Sequence, residues 1–358
     1  MSRYFALSTL AIAAFFAAPA QAGSLSQQQI FEQFNVVTLG NMKSNSHVDG
    51  RTYVTGSMQG NGAVLGMHPN DMRASDYAAV TVRGVGVNAG QPAMSNTQVT
   101  DKGAIVYGNV VNSIVNNGSS AIYGNSVNTS YNGNGSVYVQ GNTSGGNVNV
   151  TKLNAVPAGS LQATNTAAAT STDMGQVLTR LSNTMKTFTS TGSSVVIDSG
   201  KATFNAKVNS EGAAVFDLTG VESMLFNHDL VQEFSFNFNG ATSVYMNTGI
   251  TSAVINDNFL GGSAREAGQK VIWNFYDATD LTINAEFGGS ILAVKSNLIN
   301  NANIEGGVYV NNLDSRAEIH INNFAGAVPE PETYAMLMAG LGLLGFMARR
   351  RKGASELT

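Results

Sequence analysis

Histidine and aspartate are the residues of this chain best suited to acid–base or metal chemistry. The four histidines, at positions 47, 68, 228 and 320, are scattered, and none begins a His-Glu-x-x-His zinc motif. His47 lies two residues before Asp49, a spacing that suits a base and its orienting carboxylate, but SNSHVDG is also typical of a turn between strands, and the turn is favoured. His320 lies among outward-facing residues of a predicted strand, which indicates a solvated surface histidine.

The sequence carries no other motif typical of an enzyme. The sequence has no Gly-x-Ser-x-Gly elbow and no phosphate-binding loop. Asp71, Asp76, Asp198 and Asp217 offer oxygen ligands for calcium, but no EF-hand or repeated calcium-loop spacing surrounds them. A polysaccharide-degrading β-helix would need carboxylates on one face, and residues 103–151 carry no charge at all. We therefore predict a protein that is not an enzyme, with no catalytic residue, cofactor or metal.

Composition narrows the class of protein further. The chain of 358 residues contains no cysteine, which excludes a disulfide framework and a thiolate metal site. Charged residues make up 12% of the chain and the formal net charge is −4. An acidic chain without a basic stripe is not a nucleic-acid-binding protein, so we predict no nucleic-acid partner.

A short repeat in the first half indicates the architecture that must position any ligand-binding residues. Gly-Asn steps at Gly108, Gly124 and Gly141 are 16 and 17 residues apart, and a β-branched residue precedes each by two positions. This pattern predicts short strands that run into turns where Gly-Asn takes positive φ. A repeat of this length suits one coil of a β-solenoid, in which asparagine side chains can form ladders between coils.

The second half is rich in β-strand patterns and follows one amphipathic helix. EFSFNFNG, LTINAEF and AEIHINN each alternate apolar and polar residues, with Glu318, His320 and Asn322 on the outer side of the last. The helix is predicted within TDMGQVLTRLSNTMKTF, after a cap at Thr172 or Asp173. Its apolar positions are Met174, Val177, Leu178, Leu181, Met185 and Phe188. We predict an all-β solenoid with one packed amphipathic α-helix.

The N terminus has the form of a secretory signal peptide. Arg3 precedes an apolar run that ends in Ala20-Gln21-Ala22, a small-x-small cleavage pattern. We predict that residues 1–22 are removed after export.

The C terminus combines a proline hinge, an apolar run and a basic cluster. Pro329 and Pro331 precede the apolar residues 335–348, and Arg349, Arg350, Arg351 and Lys352 follow at once. The run is shorter than the roughly 20 residues of a membrane-spanning helix. Because Tyr334 and snorkelling arginines extend its reach, we predict a transmembrane helix at about 334–348 with the basic cluster in the cytoplasm.

This tail resembles the PEP-CTERM sorting signal, through Val328, Pro329, Glu330 and Pro331 followed by the apolar helix and the arginine cluster. The resemblance implies that an exosortase-type enzyme of a Gram-negative inner membrane recognises residues 328–352 and removes them. The protein would then be anchored in the inner membrane only transiently and released to the cell surface or extracellular matrix.

The body of the chain also resembles a known family. FNVVTLGNMKSNSHVDGRTYVTGSM at residues 34–58, KVIWNFYDATDLTI at 270–283, and residues 288–324 are similar to the choice-of-anchor A domain of bacterial adhesins. ILAVKSN departs from the Pro-containing form typical of that position. The resemblance implies a β-helical adhesive domain at residues 23–327.

Two function classes follow. The first is a secreted or surface adhesin of the polysaccharide matrix, with a wall of Asn, Thr, Ser and Tyr that binds glycans or other copies of the chain. The second is an ice-binding protein, since such proteins share both the tail and the architecture. Ice binding would need threonines in step with the coils, and Thr129, Thr143, Thr151 and Thr164 do not keep the step of 16 to 17 residues. The sequence therefore favours adhesion.

Overall fold

The computed structural model describes residues 23–328, which form a β-solenoid of mostly parallel strands. The predicted fold class is confirmed. The signal peptide with Ala20 and Ala22, the transmembrane helix at about 334–348 and the basic cluster at 349–352 lie outside the described residues. Within residues 23–328, no helix is long and apolar enough to cross a bilayer.

The strands are short, and the helices are few. The first half contains β1 (Val36–Thr38), β2 (Met42–Ser44), β3 (His47–Val48), β4 (Thr52–Val54), β5 (Met58–Leu65), β6 (Val80–Val82), β7 (Pro92–Val99), β8 (Ala104–Val106), β9 (Asn109–Val111), β10 (Ile114–Asn116), β11 (Ser120–Ile122), β12 (Ser126–Val127), β13 (Ser130–Asn132), β14 (Ser136–Val139), β15 (Thr143–Ser144) and β16 (Thr151–Leu153). The second half contains β17 (Ser194–Asp198), β18 (Lys201–Asn205), β19 (Ala213–Asp217), β20 (Glu233–Asn237), β21 (Ser243–Thr248), β22 (Ser252–Ile255), β23 (Asn258–Phe259), β24 (Val271–Phe275), β25 (Asp280–Ile283), β26 (Phe287–Gly288), β27 (Ser290–Asn300), β28 (Ile304–Glu305), β29 (Val308–Ser315) and β30 (Ile319–His320). The helices are α1 (Gln27–Gln33), α2 (Leu161–Ser171), α3 (Met174–Lys186), α4 (Glu222–Leu225) and α5 (Ser263–Lys270), and a 3-10 turn spans Leu260–Gly262.

Each coil contributes strands to three parallel-paired faces. In stacking order, face A contains β19, β21, β24, the first parts of β27 and β29, β1, β4, β6, β8, β11, β14 and β16. Face B contains β22, β25, the second parts of β27 and β29, β2, the first parts of β5 and β7, β9, β12 and β15. Face C contains β26, β28, β30, β3, the second parts of β5 and β7, β10 and β13.

The stacking order differs from the chain order. The first half stacks outward from β1 to β16, and the second half starts at the opposite end and stacks back, so that β29 pairs with both β27 and β1. On face C, β30 pairs with both β28 and β3. The two halves therefore meet at an internal seam, which is closed by the last strands of the domain.

The predicted 16- to 17-residue repeat is present as successive coils. Val106, Ile122 and Val139 occupy one register column on face A, and all three are buried. The predicted positive φ is found at Gly108, with φ 133°, but it is wrong for Gly124 and Gly141. Glycine is needed at these two positions for a different reason, because a Cβ atom there would overlap atoms of the preceding coil.

Helices cover the outer side of face A. The predicted amphipathic helix is α3, which begins after Asp173, whose side chain accepts a 2.9 Å hydrogen bond from the Gln176 amide. Ser182 on α3 donates a 2.7 Å hydrogen bond to Asn274 of β24. The alanine-rich helix α2 precedes α3 and was not predicted; it buries Ala168 and Ala169. Face A is consequently closed to large ligands along the helices.

Candidate ligand-binding surface

The tyrosines of the repeat lie beneath helix α2. The rings of Tyr107 and Tyr123 stack with centroids 4.8 Å apart, and both hydroxyls bond to Thr166 of α2. Tyr131 is buried in the core, where its hydroxyl lies 2.9 Å from Ser126 Oγ. The predicted polar wall therefore cannot use these rings as open stacking platforms, because helix packing and core burial already occupy them.

Asparagine side chains form ladders along face C, as predicted. The Nδ2 atom of Asn132 donates to Asn116 Oδ1 at 3.1 Å, and Nδ2 of Asn149 donates to Asn132 Oδ1 at 2.8 Å. Two residues before the same strands begin, Asn128 Nδ2 donates to Asn112 Oδ1 at 3.3 Å. These bonds hold neighbouring amides at the spacing of strands, roughly 4.8 Å.

The strip between the two ladders combines polar and apolar groups. Ile114, which is 41% exposed, and the half-buried Ser130 share a register column of β10 and β13. We call the surface formed by Asn112, Asn128, Ile114, Ser130, Asn116, Asn132 and Asn149 the amide strip. Each amide has donor and acceptor capacity beyond its ladder bond. The strip can therefore bond to hydroxyl-rich ligands while Ile114 contacts their apolar edges.

A comparable ladder exists in the second half. Asn284 Nδ2 donates to Asn256 Oδ1 at 2.7 Å, and Asn301 Nδ2 donates to Asn284 Oδ1, also at 2.7 Å. Asn284 therefore has the same ladder role as Asn132 on a different part of the surface. It provides a matched control for substitutions in the amide strip.

On face B, the outward column of side chains that crosses the seam does not form a threonine array. The outward column that crosses the seam on face B reads Val254, Thr282, Ile299, Asp314 and Lys43. This column contains a single threonine and two charges. Among the threonines considered from the sequence, Thr129 is buried and Thr164 lies on helix α2.

Histidines and carboxylates are paired near the seam on face C, and the His47–Glu318 pair crosses it. His320 Nδ1 lies 2.6 Å from Glu305, and its Nε2 lies 2.9 Å from Glu318. Glu318 also lies 3.4 Å from His47, while Asp49 is 3.1 Å from His68. The prediction that His320 is a solvated surface residue is wrong, because its side chain is 26% exposed between two carboxylates.

Local structure at this seam changes two further expectations. His47 belongs to strand β3, so SNSHVDG is not simply a turn, and the partner of Asp49 is His68. Asn322, predicted to point outward, is buried and donates to the carbonyl of Arg265. Segments that are separated in sequence but adjacent in the fold impose both arrangements. Asp49 also accepts a hydrogen bond from the amide of Ile321, the residue that follows the last strand.

The pKa values of His320 and Asp257 are both raised in the folded protein, which makes its stability depend on pH. Partial burial opposes the charged form of His320, but its hydrogen bonds to Glu318 and Glu305 outweigh that effect and raise its pKa. Burial raises the pKa of Asp257 to about 6, against the opposing effect of His228, whose Nδ1 lies 4.0 Å from Asp257 Oδ1. Conversely, the hydrogen bond from His320 lowers the pKa of Glu318.

Stability is expected to fall as pH rises from 5.5 to 8. The folded state of both His320 and Asp257 binds protons more tightly than the unfolded state, so their stabilisation is present at low pH and is lost as each deprotonates. The lowered pKa of Glu318 stabilises the folded state throughout this range, and that stabilisation is lost only in more acidic solution. We expect the melting temperature to drop on the order of 5 °C across this range.

Thermal unfolding of wild type and Asp257→Asn at several pH values tests this. The variant should show a shallower decline, whereas exposed Asp198→Asn should keep the wild-type slope. A melting temperature that increases from pH 5.5 to 8 would contradict the assignment.

Val328 is the one residue of the predicted sorting motif that lies within the described residues. Val328 is buried, and its amide donates a 2.8 Å hydrogen bond to Gln28 on α1. Pro329, Glu330 and Pro331 follow outside the described residues. Across residues 23–328, no group of three or more His, Cys, Asp or Glu side chains is placed to hold a metal ion. Asp217, one of the calcium candidates, instead accepts hydrogen bonds from Thr219.

The solenoid domain matches a known protein family. A family model described as "Putative Ice-binding-like adhesive domain" matches residues 27–321. The chain belongs to this ice-binding-like adhesive family. The predicted adhesive resemblance is confirmed, and the choice-of-anchor A description is consistent with it. This family is adhesive and ice-binding-like in kind, rather than enzymatic.

The C-terminal tail matches a second family model, and one solved structure is similar to the chain. A PEP-CTERM protein-sorting motif matches residues 327–352, which confirms the predicted export and surface localisation of this adhesive-family protein. No curated protein matches the chain. Among solved structures, a crystal structure of an ice binding protein from an Antarctic bacterium, Flavobacteriaceae, is similar with 10% identity and a TM-score of 0.24; the match covers 84% of this chain and 98% of that chain.

Proposed function

We propose that the protein is a noncatalytic adhesin or structural component of an extracellular polysaccharide matrix. The amide strip is the observation that supports this function most directly. It exposes bonded columns of amides with Ile114 between them on a parallel sheet, and none of the helices within residues 23–328 packs on β10 or β13. Many weak hydrogen bonds along a repeating polymer add up through multivalency. Polysaccharide made by the producing cell is therefore the proposed ligand.

Delivery to that matrix is proposed to use both chain ends. Residues 1–22 are a signal peptide cleaved after Ala20-Gln21-Ala22, residues 23–327 are the adhesive domain, and residues 328–352 are the sorting signal. An exosortase-type enzyme would recognise Val328, Pro329, Glu330 and Pro331 while the apolar helix holds the chain in the inner membrane. Arg349, Arg350, Arg351 and Lys352 would keep its end in the cytoplasm.

Ice binding is the second candidate, favoured by the name of the family. The outward column at the seam of face B opposes it because charge and aliphatic side chains interrupt any threonine array. The same purified domain distinguishes the candidates. An adhesin binds polysaccharide without thermal hysteresis, whereas an ice-binding protein shows thermal hysteresis.

Binding to the producer's purified polysaccharide should depend on the amide strip. We expect Asn132→Ala to weaken binding by residues 23–328 about tenfold, since it removes a bonded amide worth roughly 1 to 1.5 kcal/mol per ligand contact. Asn284→Ala removes the middle amide of the matched ladder and should bind like wild type. Co-sedimentation gives both affinities. Equal loss in both variants, or no binding by wild type alongside thermal hysteresis, would contradict the proposal.

A further inference from the structure

The two ends of the solenoid differ in how their strand edges are covered. At the end formed by the second half, β17 pairs antiparallel with β18, and the Thr191 amide donates a 3.3 Å hydrogen bond to Val215 of β19. The segment between β19 and β20 adds the buried side chains of Leu218, Leu225 and Val231 to the main core. The core and the outer edge of β19 on face A are therefore covered at this end, which we call the capped end, while β22 on face B pairs only with β25.

At the other end, the last coil has no cap among residues 23–328. Strand β16 pairs only with β14, and β15 pairs only with β12, so each has one unpaired edge. On face C, Val148 bridges Tyr131 and has no described strand beyond it. The half-buried Val148 and Val150 pack against the core from this coil. We call residues 143–153 the open end; it presents backbone N–H and C=O groups that can pair with another edge.

The open end also lacks the charges that normally prevent strand edges from associating. Between Lys102 and Asp173 the sole charged residue is Lys152. Its Nζ atom lies 3.3 Å from Thr143 Oγ1 and so reaches back across the same coil. Two copies of this surface can approach with little electrostatic repulsion, because one exposed lysine on each contributes weakly.

We propose that the open end docks against the open end of a second copy. The segments that cover β19 and the core obstruct head-to-tail stacking at the capped end, so the identical open ends would meet about a twofold axis, which closes the assembly as a dimer. Their edges would then pair antiparallel. A contact made by the strand edges of one coil belongs with small, transient interfaces, so we expect a weak dimer with a Kd on the order of 10 μM. This goes beyond the proposed function and does not depend on it.

Analytical ultracentrifugation of residues 23–328 over a concentration series tests the dimer. Ser144→Lys combined with Thr151→Lys places added like charges at the open end, and both residues are exposed. The pair should weaken association about tenfold through repulsion. As the matched control, Asn237→Lys combined with Ser252→Lys adds the same charge to exposed residues near the capped end and should associate like wild type. Circular dichroism would show that all variants remain folded.

Crosslinking locates the contact independently. Because the chain contains no cysteine, Ser144→Cys introduces a unique thiol, and a short bis-maleimide should join two copies. Ser252→Cys should remain monomeric under the same conditions. A wild-type protein that stays monomeric throughout the series, or one whose association is weakened only by the capped-end lysines, would overturn the proposal.

Discussion

Tyr309→Ala is expected to lower the free energy of unfolding by about 4 kcal/mol, as complete removal of a buried aromatic ring typically does. Tyr309 is fully buried on β29, the strand that joins the two halves of the solenoid. Its ring centroid lies 4.2 Å from that of Phe31 on α1, and its hydroxyl donates a 2.8 Å hydrogen bond to the carbonyl of Phe34. The substitution therefore weakens the seam and the helix packed on it.

Tyr309→Phe separates the contributions of ring and hydroxyl. This variant keeps the ring and removes one donor, so we expect a loss of about 1 to 2 kcal/mol. Urea unfolding followed by circular dichroism measures both values. If Tyr309→Ala unfolds within about 1 kcal/mol of wild type, the seam does not hold the halves together as described.

Gly124→Ala is expected to destabilise the domain by about 3 kcal/mol or more, within the range of severe overpacking. The added Cβ would overlap backbone atoms of Gly108 in the preceding coil. Because the clash is with backbone, no side-chain rotation relieves it, and adjacent coils must separate. Positive φ is not the cause at this position.

Gly220→Ala is the matched control for this substitution. A Cβ at Gly220 meets no other heavy atom within 4 Å, and its φ is not positive. We expect its unfolding free energy to remain within about 0.5 kcal/mol of wild type. Equal stability of the two alanine variants in urea unfolding would refute close coil packing at Gly124.

Local patterns in the sequence were sufficient to predict the coils of residues 103–151. Period, β-branched positions and asparagine ladders all follow from one coil stacking on the next. The stacking order could not be predicted in this way, because β1 pairs with β29, which is remote in sequence. Helix α2 escaped prediction since its buried face consists of alanines and polar residues, without an apolar stripe.

The candidate surface was predicted in composition but not in detail. Asparagine ladders were expected, whereas the tyrosines assigned to the same wall pack under α2, a helix absent from the prediction. His320 was misjudged for a similar reason. Alternation along one strand correctly places its side chain outward, but Glu305 comes from a neighbouring coil and Asp49 from the other half of the chain.

The intact mass of the protein recovered from the cell surface and medium, with peptide mapping of both ends, tests the central claim of an exported and released adhesin. We expect a product that begins at Gly23 and ends near Pro329 to Tyr334, without the apolar run. Val328 is the last described residue and is tied to α1, so the product would retain the complete packed domain. A surface protein that still carries Arg349 to Thr358 would contradict release by C-terminal processing and would indicate a permanent membrane anchor.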